Sequence, residues 1–348
     1  MSRLIFSDSP RSALLYAVSD LNPSSVHIVT DTTVARIVLP QLDLPWSAIT
    51  AIPAGEEFKD LASLQQVWTA LIEAGVSRRS VIINIGGGMV TDLGGFAAAT
   101  FKRGVRFINF PTTLLSAVDA AVGGKTGINF GGLKNEIGAF APAEAVVISA
   151  TPFATLPVEQ LLSGYAEMMK HALLSGPTQM AELLQFDPVT GSRDTLLQLL
   201  ERSIAVKERI VAADPTEQGM RKSLNLGHTA GHAIEALAIN RGNPLPHGYA
   251  VAAGLGIELV LSHLLKGFPS ESLRRYIQWL RTAGYPRTSY TCRDYKQLVS
   301  LMRHDKKNTC SAEINFTLLS SPGTICIDCT VGEEEINAAL DIYRDMME

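Results

Sequence analysis

A chain of 348 residues is longer than one hydrophobic core usually sustains, and 46% hydrophobic with 18% charged residues is the makeup of a folded globular protein, not a disordered or fibrous one. A formal net charge of −4 at pH 7 argues against the basic surface that nucleic acid or an anionic membrane would select. The N-terminus MSRLIFSDSPR has no basic segment leading into an apolar run, and no stretch reads as membrane-spanning, so a cytoplasmic protein is expected.

From residue 26 short β-branched runs alternate with helical stretches: VHIVT, AITAIP, SVIINI, VRFINF and AVVIS, separated by segments such as LASLQQVWTALIEAG and FAAATFK. This alternation predicts βαβ units and a mainly parallel sheet, hence a nucleotide-binding α/β domain over 1–150. After TPFATLP, Leu, Ala and Met recur at helical spacing, broken by GPT, DPT, NPLP and FPS, which predicts a mainly α-helical domain over 151–348. Near its end EINFTLLSS and GTICIDCTV read as a strand pair joined by SPG, and EEEINAALDIYRDMME as a closing helix. The CIDC stretch invites a zinc or redox reading. Cys292 and Cys310 stand too far apart to form the second close pair of a four-cysteine zinc site, and TICIDCT alternates like a strand, so Cys326 and Cys329 are read as buried or edge thiols.

Two glycine-rich stretches carry candidate chemistry. In SVIINIGGGMVTDLGGF three glycines stand after a buried strand and before a helix, where backbone N–H groups can approach a pyrophosphate with no Cβ in the way. Gly86, Gly87 and Gly88 followed by Asp92 exceed what a plain tight turn needs, so dinucleotide binding is expected although the pattern is not GxGxxG. VDAAVGGKTG ends like a phosphate loop, with Lys125 and Thr126 after two glycines, but Asp119 occupies the position where Walker A requires glycine. Lys125 is left with a smaller phosphate. PAGEEFK can set Glu56 against ribose hydroxyls and Lys59 near phosphate, although a solvated loop is the plainer reading of that stretch alone. Thr112 and Thr113 open a helix with hydroxyls that cap it or meet a cofactor.

His27, His171, His263 and His304 are scattered, but the other three histidines fall within twenty residues. His228 and His232 share a helix face in NLGHTAGHAIE, and His247 precedes a helix beginning GYAVAAGLG. Catalytic zinc takes three protein ligands and keeps one position open. The three histidines could complete such a set, or Glu167 of SGYAEMMKHALL, with Lys170 one turn on, could supply a ligand; spacing does not choose. Neighbouring glycines let other helices or a ligand come close, which weakens the reading of these histidines as satisfied locally. Lys170, Lys207, Arg221, Lys306 and Lys307 gather cations in a net acidic chain and point to a small anionic substrate.

In order along the chain, GGGMVTDLGGF, FPTTLLSAVDAAVGGKTGIN, GLKNEIGAF, LSGYAEMMK, LNLGHTAGHAIE, PHGYAVAAG and HDKKN resemble the 3-dehydroquinate synthase family of the sugar phosphate cyclase superfamily, over nearly the whole chain. The resemblance implies a Rossmann-like NAD-binding domain followed by a mainly helical metal- and substrate-binding domain. It implies zinc, with cobalt as an alternative, on Glu167, His228 and His247, while His232 touches substrate. NAD contacts are implied for Asp31, Glu56, Lys59, Gly87, Gly88, Asp92, Thr112, Thr113 and Lys134. Substrate-side roles are implied for Asp119, Lys125 and Asn135, and catalytic ones for Lys170, Lys207, Arg221, Asn225, His232 and Lys306. Arg103 resembles an arginine reaching a neighbouring subunit's phosphate site, which implies a homodimer. The implied activity is a phosphate-eliminating lyase of the shikimate pathway, leading to chorismate and the aromatic amino acids. It converts 3-deoxy-D-arabino-heptulosonate 7-phosphate to 3-dehydroquinate through transient NAD oxidation, elimination, re-reduction, ring opening and aldol closure.

Two departures from the family pattern stand out: Thr91 replaces a glycine common before the aspartate, and EALAINRGNPLP between the two zinc histidines differs in length. A sibling cyclase acting on another sugar phosphate is the nearest rival. Arg221, Asn225 and Lys306 oppose it, because a carboxylate on the substrate needs them. A metal-dependent polyol dehydrogenase would instead release NADH. A binding protein without catalysis gives no reason for so complete a set.

Overall fold

The computed structural model describes residues 2–214, 216–287, 290–303 and 314–348. The chain divides into two compact units, one of Met1–Pro157 with Ser192–Glu201, the other of Val158–Gly191 with Arg202–Glu348.

The first unit carries strands β1 (Arg3–Phe6), β2 (Val26–Asp31), β3 (Ile49–Ile52), β4 (Val81–Gly86), β5 (Arg106–Pro111), β6 (Lys125–Phe130), β7 (Leu133–Phe140) and β8 (Ala145–Ile148). Helices α1 (Pro10–Leu21), α2 (Thr32–Ile37), α3 (Leu39–Leu42), α4 (Leu61–Glu73) and α5 (Gly88–Thr100) lie between them. Six strands form one sheet in the order β1-β8-β5-β4-β2-β3, and every pair is parallel. β4 is buried at every residue, as a parallel strand covered on both faces must be, which is why VIINIG reads as an unbroken apolar run with one Asn. Val81, Ile83, Ile85, Ile108, Phe110 and Val147 share one core cluster with α1 residues Leu14 and Ala17.

The chain leaves β2 toward β3 on one side and reaches β4 on the other, so strand order reverses between the ends of β2 and β4. Such a switch point opens a crevice at the carboxyl ends of the strands, the place where open parallel sheets bind ligands. Asp31 ends β2 and Gly86 ends β4.

Three strands of this unit are absent from the sequence reading. RLIF forms β1, a four-residue edge strand pairing Arg3 with Ala145. The glycine stretch that Asp119 ruled out as a phosphate loop leads into an antiparallel hairpin, β6 with β7, pairing Lys125 with Phe140. Its residues are mostly exposed, so it lacks the apolar signature of a core strand.

The second unit carries α6 (Val158–Ser175), α7 (Pro177–Gln185), most of α8 (Arg193–Ala213), α9 (His228–Asn240), α10 (His247–Lys266), α11 (Ser270–Thr282), α12 (Tyr295–Arg303) and α13 (Glu333–Met347). Strands β9 (Ile314–Ser321) and β10 (Thr324–Val331) pair antiparallel. α10 is long and apolar enough to cross a membrane, which the sequence reading did not anticipate, but 78% of that window is buried inside the protein. It is a core helix, apolar all round because other elements surround it.

Glycines set how closely these helices pack. A Cβ on Gly254 of α10 would lie 2.0 Å from the carbonyl oxygen of Gly227, and one on Gly248 would lie 1.9 Å from that of Ser163. Backbone therefore meets backbone where α10 crosses both α9 and α6.

Candidate functional site

In the first unit the residues at the carboxyl ends of β2, β4 and β5 assemble as follows. Gly87 is the N-cap of α5 and Gly88 its first residue. Neither has positive φ; a Cβ on Gly87 would lie 3.2 Å from Thr113 Cγ2, so the threonine would have to give by a few tenths of an ångström. Thr112 N–H donates to the Gly86 carbonyl at 2.9 Å, tying the end of β5 to that of β4, and Thr113 Oγ1 accepts from Ser116 N at 3.1 Å. Asp31 caps α2, accepting from Thr33 N at 2.8 Å and Val34 N at 2.9 Å.

Lys59, buried at 3% exposure, donates to Asp92 Oδ2 and to Asn135 Oδ1, each at 2.5 Å. Glu56 Oε1 lies 3.9 Å from the same ammonium and accepts from Asn129 Nδ2 at 3.1 Å. Burial pushes the Asp92 carboxyl up to about 6, with the Lys59 charge offsetting part of the cost and the Glu56 and Asp119 charges adding to it. Lys125 and Lys134 sit exposed on the hairpin, and Asn135 takes a left-handed φ of 53°. Arg103 is exposed beyond α5, where it and Lys102 both adopt positive φ, 64° and 50°. Consecutive left-handed residues other than glycine cost about 1–2 kcal/mol each.

In the second unit three helices converge. α6 supplies Glu167 and Lys170 on a wholly buried stretch, α9 supplies His228 and His232, and α10 begins at His247. One donor atom from each of Glu167, His228 and His247 lies within 4.8 Å of the other two. His228 Nε2 is 3.4 Å and His247 Nε2 is 3.6 Å from Glu167 Oε1. Both imidazoles are turned that way by their other nitrogen: His228 Nδ1 meets the Leu226 carbonyl at 3.1 Å, and His247 Nδ1 meets Glu235 Oε2 at 3.1 Å. A proton held at each Nδ1 leaves each Nε2 lone pair aimed at the carboxylate.

Glu167 is fully buried. Lys170 Nζ lies 2.5 Å from its Oε2, an ion-pair distance, yet neither carboxylate oxygen receives an aligned hydrogen bond among the described residues. Three electron-pair donors facing one another need a cation between them, and one carboxylate with two imidazoles is a zinc-type set. The residues thus fit a divalent metal. Without one, protons carry the compensation. Burial pushes Glu167 up, but the Lys170 ammonium and His228 hold it well below the usual carboxylate range. Burial and the Lys170 charge lower His228 to about 4. Burial also lowers His247, but Glu167 and Glu235 outweigh it and raise the group to about 10.

His232 is not in the three-donor set; its ring centroid lies 5.3 Å from that of His228 and 6.0 Å from that of His247. The choice that helical spacing left open falls on Glu167. Lys207 and Arg221 are buried, and Arg221 stands in the turn Met220–Asn225. Asp214 organises the approach to that turn, accepting from Gly219 N at 2.7 Å and Arg221 N at 3.0 Å, while Asn225 Nδ2 donates to Glu217 Oε1 at 3.2 Å. Lys306 and its neighbours His304, Lys307 and Cys310 lie outside the described residues.

Sequence reasoning missed two carboxylates. Glu235 stands three residues after His232, where helical spacing could have placed it beside the site. Glu258 left no such sign: fully buried on α10, it accepts from Gly227 N at 2.6 Å and Ala230 N at 3.2 Å, capping α9 from a neighbouring helix.

The chain matches the family model described as 3-dehydroquinate synthase N-terminal over residues 49–163, and that described as 3-dehydroquinate synthase C-terminal over residues 164–308. It is 48% identical to a 3-dehydroquinate synthase of Parabacteroides distasonis over 339 residues, 96% of each chain. Two solved structures share the fold. A 2-deoxy-scyllo-inosose synthase, complexed with carbaglucose-6-phosphate, NAD+ and Co2+, superposes with a TM-score of 0.85 at 22% identity, covering 98% of this chain and 96% of that one. The 2-epi-5-epi-valiolone synthase of Streptomyces hygroscopicus, with NAD+ and Zn2+ bound, gives 0.81 at 24% identity, covering 99% and 97%.

Proposed function

The chain belongs to the 3-dehydroquinate synthase family, and from that membership we propose how its residues divide the work. Its reaction converts 3-deoxy-D-arabino-heptulosonate 7-phosphate to 3-dehydroquinate and phosphate. The observation that carries the assignment is the convergence of Glu167, His228 and His247 donors within 4.8 Å. Zinc is the metal these three hold, with cobalt able to replace it, and NAD is the nucleotide; the solved cyclases with Co2+ or Zn2+ and NAD+ support both. When bound, the metal polarises a substrate oxygen and NAD accepts and returns a hydride.

The first unit binds NAD at the switch point of its sheet. Gly87 and Gly88 offer backbone N–H groups at the start of α5 to the pyrophosphate, Thr112 and Thr113 flank them, and Asp31, Glu56, Lys59, Asp92 and Lys134 surround the remainder. Asn135 joins the Lys59 cluster directly and so couples cofactor and substrate contacts. Asp119 and Lys125 stand on the substrate side. In the second unit His232, beside both metal-facing imidazoles, is placed to hydrogen-bond substrate or move its proton. Lys170, Lys207 and Arg221 are cations buried far more than a solvated helix face allows, which suits clamping of carboxylate and phosphate. Asn225 and Lys306 complete that set. Arg221 and Asn225 favour a carboxylate-bearing substrate over the sugar phosphates of the sibling cyclases.

A homodimer completes the reading, with Arg103 serving the partner's phosphate site. Its exposure and left-handed backbone suit such a reach, and the hairpin's Phe130 and Leu133, paired across it and exposed at 52% and 54%, offer an apolar patch for a second copy.

The test is purified protein with zinc, catalytic NAD and 3-deoxy-D-arabino-heptulosonate 7-phosphate, following phosphate release and dehydroquinate. Many turnovers per NAD are expected, lost on chelation or in Glu167→Ala. Turnover of sedoheptulose 7-phosphate instead, or net NADH from a simple polyol, would overturn the assignment.

A further inference from the structure

The CIDC stretch of β10 takes part in neither cluster, yet its geometry departs from that of a strand. Residues three apart on a regular strand face opposite sides. Here Cys326 pairs with Leu318 and Cys329 with Phe316, partners only two apart on β9. One extra residue therefore bulges out of β10, and both cysteines share the face of Phe316 and Leu318. Asp328, inside the bulge, has φ of 53°, the left-handed backbone that the third residue of a reverse turn adopts. The turn brings Cys329 Sγ back to donate to the Cys326 carbonyl at 3.4 Å.

Neighbouring same-face rungs are about 6.6 Å apart along a strand. That spacing already lies inside the Cα window of about 4.4–6.8 Å that a disulfide accepts. Access is graded as well: Cys326 is half-buried, and Cys329 is 9% exposed with its thiol pushed up by burial, the nearby Lys266 charge offsetting only part.

We propose that Cys326 and Cys329 form a reversible dithiol–disulfide site whose state reaches the Met220–Asn225 turn through Asp328. The oxidant is a small-molecule disulfide. Cys326 thiolate attacks it, forming a mixed disulfide and releasing one thiol; Cys329 then attacks Cys326 Sγ, closing the intrachain bond and releasing the second thiol. Two electrons pass from the protein to the small disulfide, and the two protein thiol protons end on the released thiols.

Closure tightens the bulge around Asp328, whose carboxylate holds Lys222 Nζ at 2.9 Å and 3.0 Å. The facing residue of β9 grips the same turn, Thr317 Oγ1 donating to the Lys222 carbonyl at 3.0 Å. Lys222 follows Arg221, so this part of the inference rests on the reading of Arg221 and Asn225 as substrate contacts.

The reduced full-length protein, loaded with zinc and NAD, is equilibrated with mixtures of reduced and oxidised glutathione, alkylated, and weighed intact and as the peptide containing residues 324–331. The expected result is joint loss of two alkylatable thiols in that peptide with no glutathione retained, reversal by dithiothreitol, and no such loss in Cys326→Ser or Cys329→Ser. Both variants keep the basal activity. Oxidation is expected to raise KM for the sugar phosphate about two- to fivefold, the worth of one half-exposed ion pair, in parent protein only. A stable single glutathione adduct, or loss confined to Cys292, overturns the dithiol; a disulfide with unchanged KM overturns its link to the turn. A reduced protein without synthase activity would refute the functional assignment, while the thiol count would still decide the dithiol.

Discussion

Removing the Glu235 carboxylate should loosen the metal without removing a ligand. Glu235 Oε2 lies 3.1 Å from His247 Nδ1, and its side chain is only 12% exposed, so its charge acts on that imidazole with little screening by water. It holds the ring with Nε2 toward Glu167 and makes that nitrogen a better donor. Loss of such an outer carboxylate weakens metal affinity about 10- to 100-fold, or about 1.4–2.8 kcal/mol. Glu235→Gln retains an acceptor of the same shape and belongs near the lower bound; Glu235→Ala frees the ring and belongs near the upper. Competition with a chromophoric chelator for zinc and for cobalt measures the dissociation constant directly, independent of turnover. The unfolding midpoint of each metal-free variant shows whether the fold itself has moved. A Glu235→Ala protein that keeps its midpoint and binds zinc within about twofold of the parent would refute the reasoning, because twofold is below any loss the hydrogen bond could account for.

Glu167→Ala should lower zinc affinity far more than either Glu235 variant, since it removes a ligand; equilibrium dialysis checks the order. Gly254→Ala should destabilise the second unit and lower metal occupancy together. Its Cβ would meet the Gly227 carbonyl at 2.0 Å and force α10 away from α9, an overpacking cost of about 1–3 kcal/mol or more, read by thermal unfolding and bound zinc. Asp92→Asn tests the buried carboxyl. With its folded value near 6 against 3.8 for the free side chain, the folded chain holds that proton more tightly than the unfolded chain. The associated stability is fully present below the unfolded value and is lost as pH rises through about 6, some 3 kcal/mol in all. The Asn variant should therefore gain on the parent between about pH 4 and pH 6, in unfolding midpoint; parallel midpoints across that range would refute the shift.

Much of the first unit was legible because its strands are buried on both faces. SVIINI and VRFINF had to be continuous apolar runs, and the glycines after SVIINI had to mark the start of a helix. RLIF escaped because four residues at a sheet edge carry too little pattern, and the hairpin escaped because exposed strands need no apolar alternation. Asp31 shows a different limit: the resemblance assigns it to NAD, while its carboxylate caps α2, a contact that depends on backbone geometry.

The sequence by itself determined which chemistries were present. The His228 and His232 spacing, the glycine-rich turn and the presence of Lys170, Lys207 and Arg221 all follow from local periodicity and residue type. Only the tertiary structure decided which groups meet. Glu167 precedes His228 by some sixty residues, and no spacing rule links them. They come together because glycines at 227, 248 and 254 let α6, α9 and α10 approach to backbone contact, and because Glu235 and the Leu226 carbonyl turn both imidazoles toward one buried carboxylate. That convergence is a property of packing, and packing is settled by contacts between residues that the linear order keeps apart.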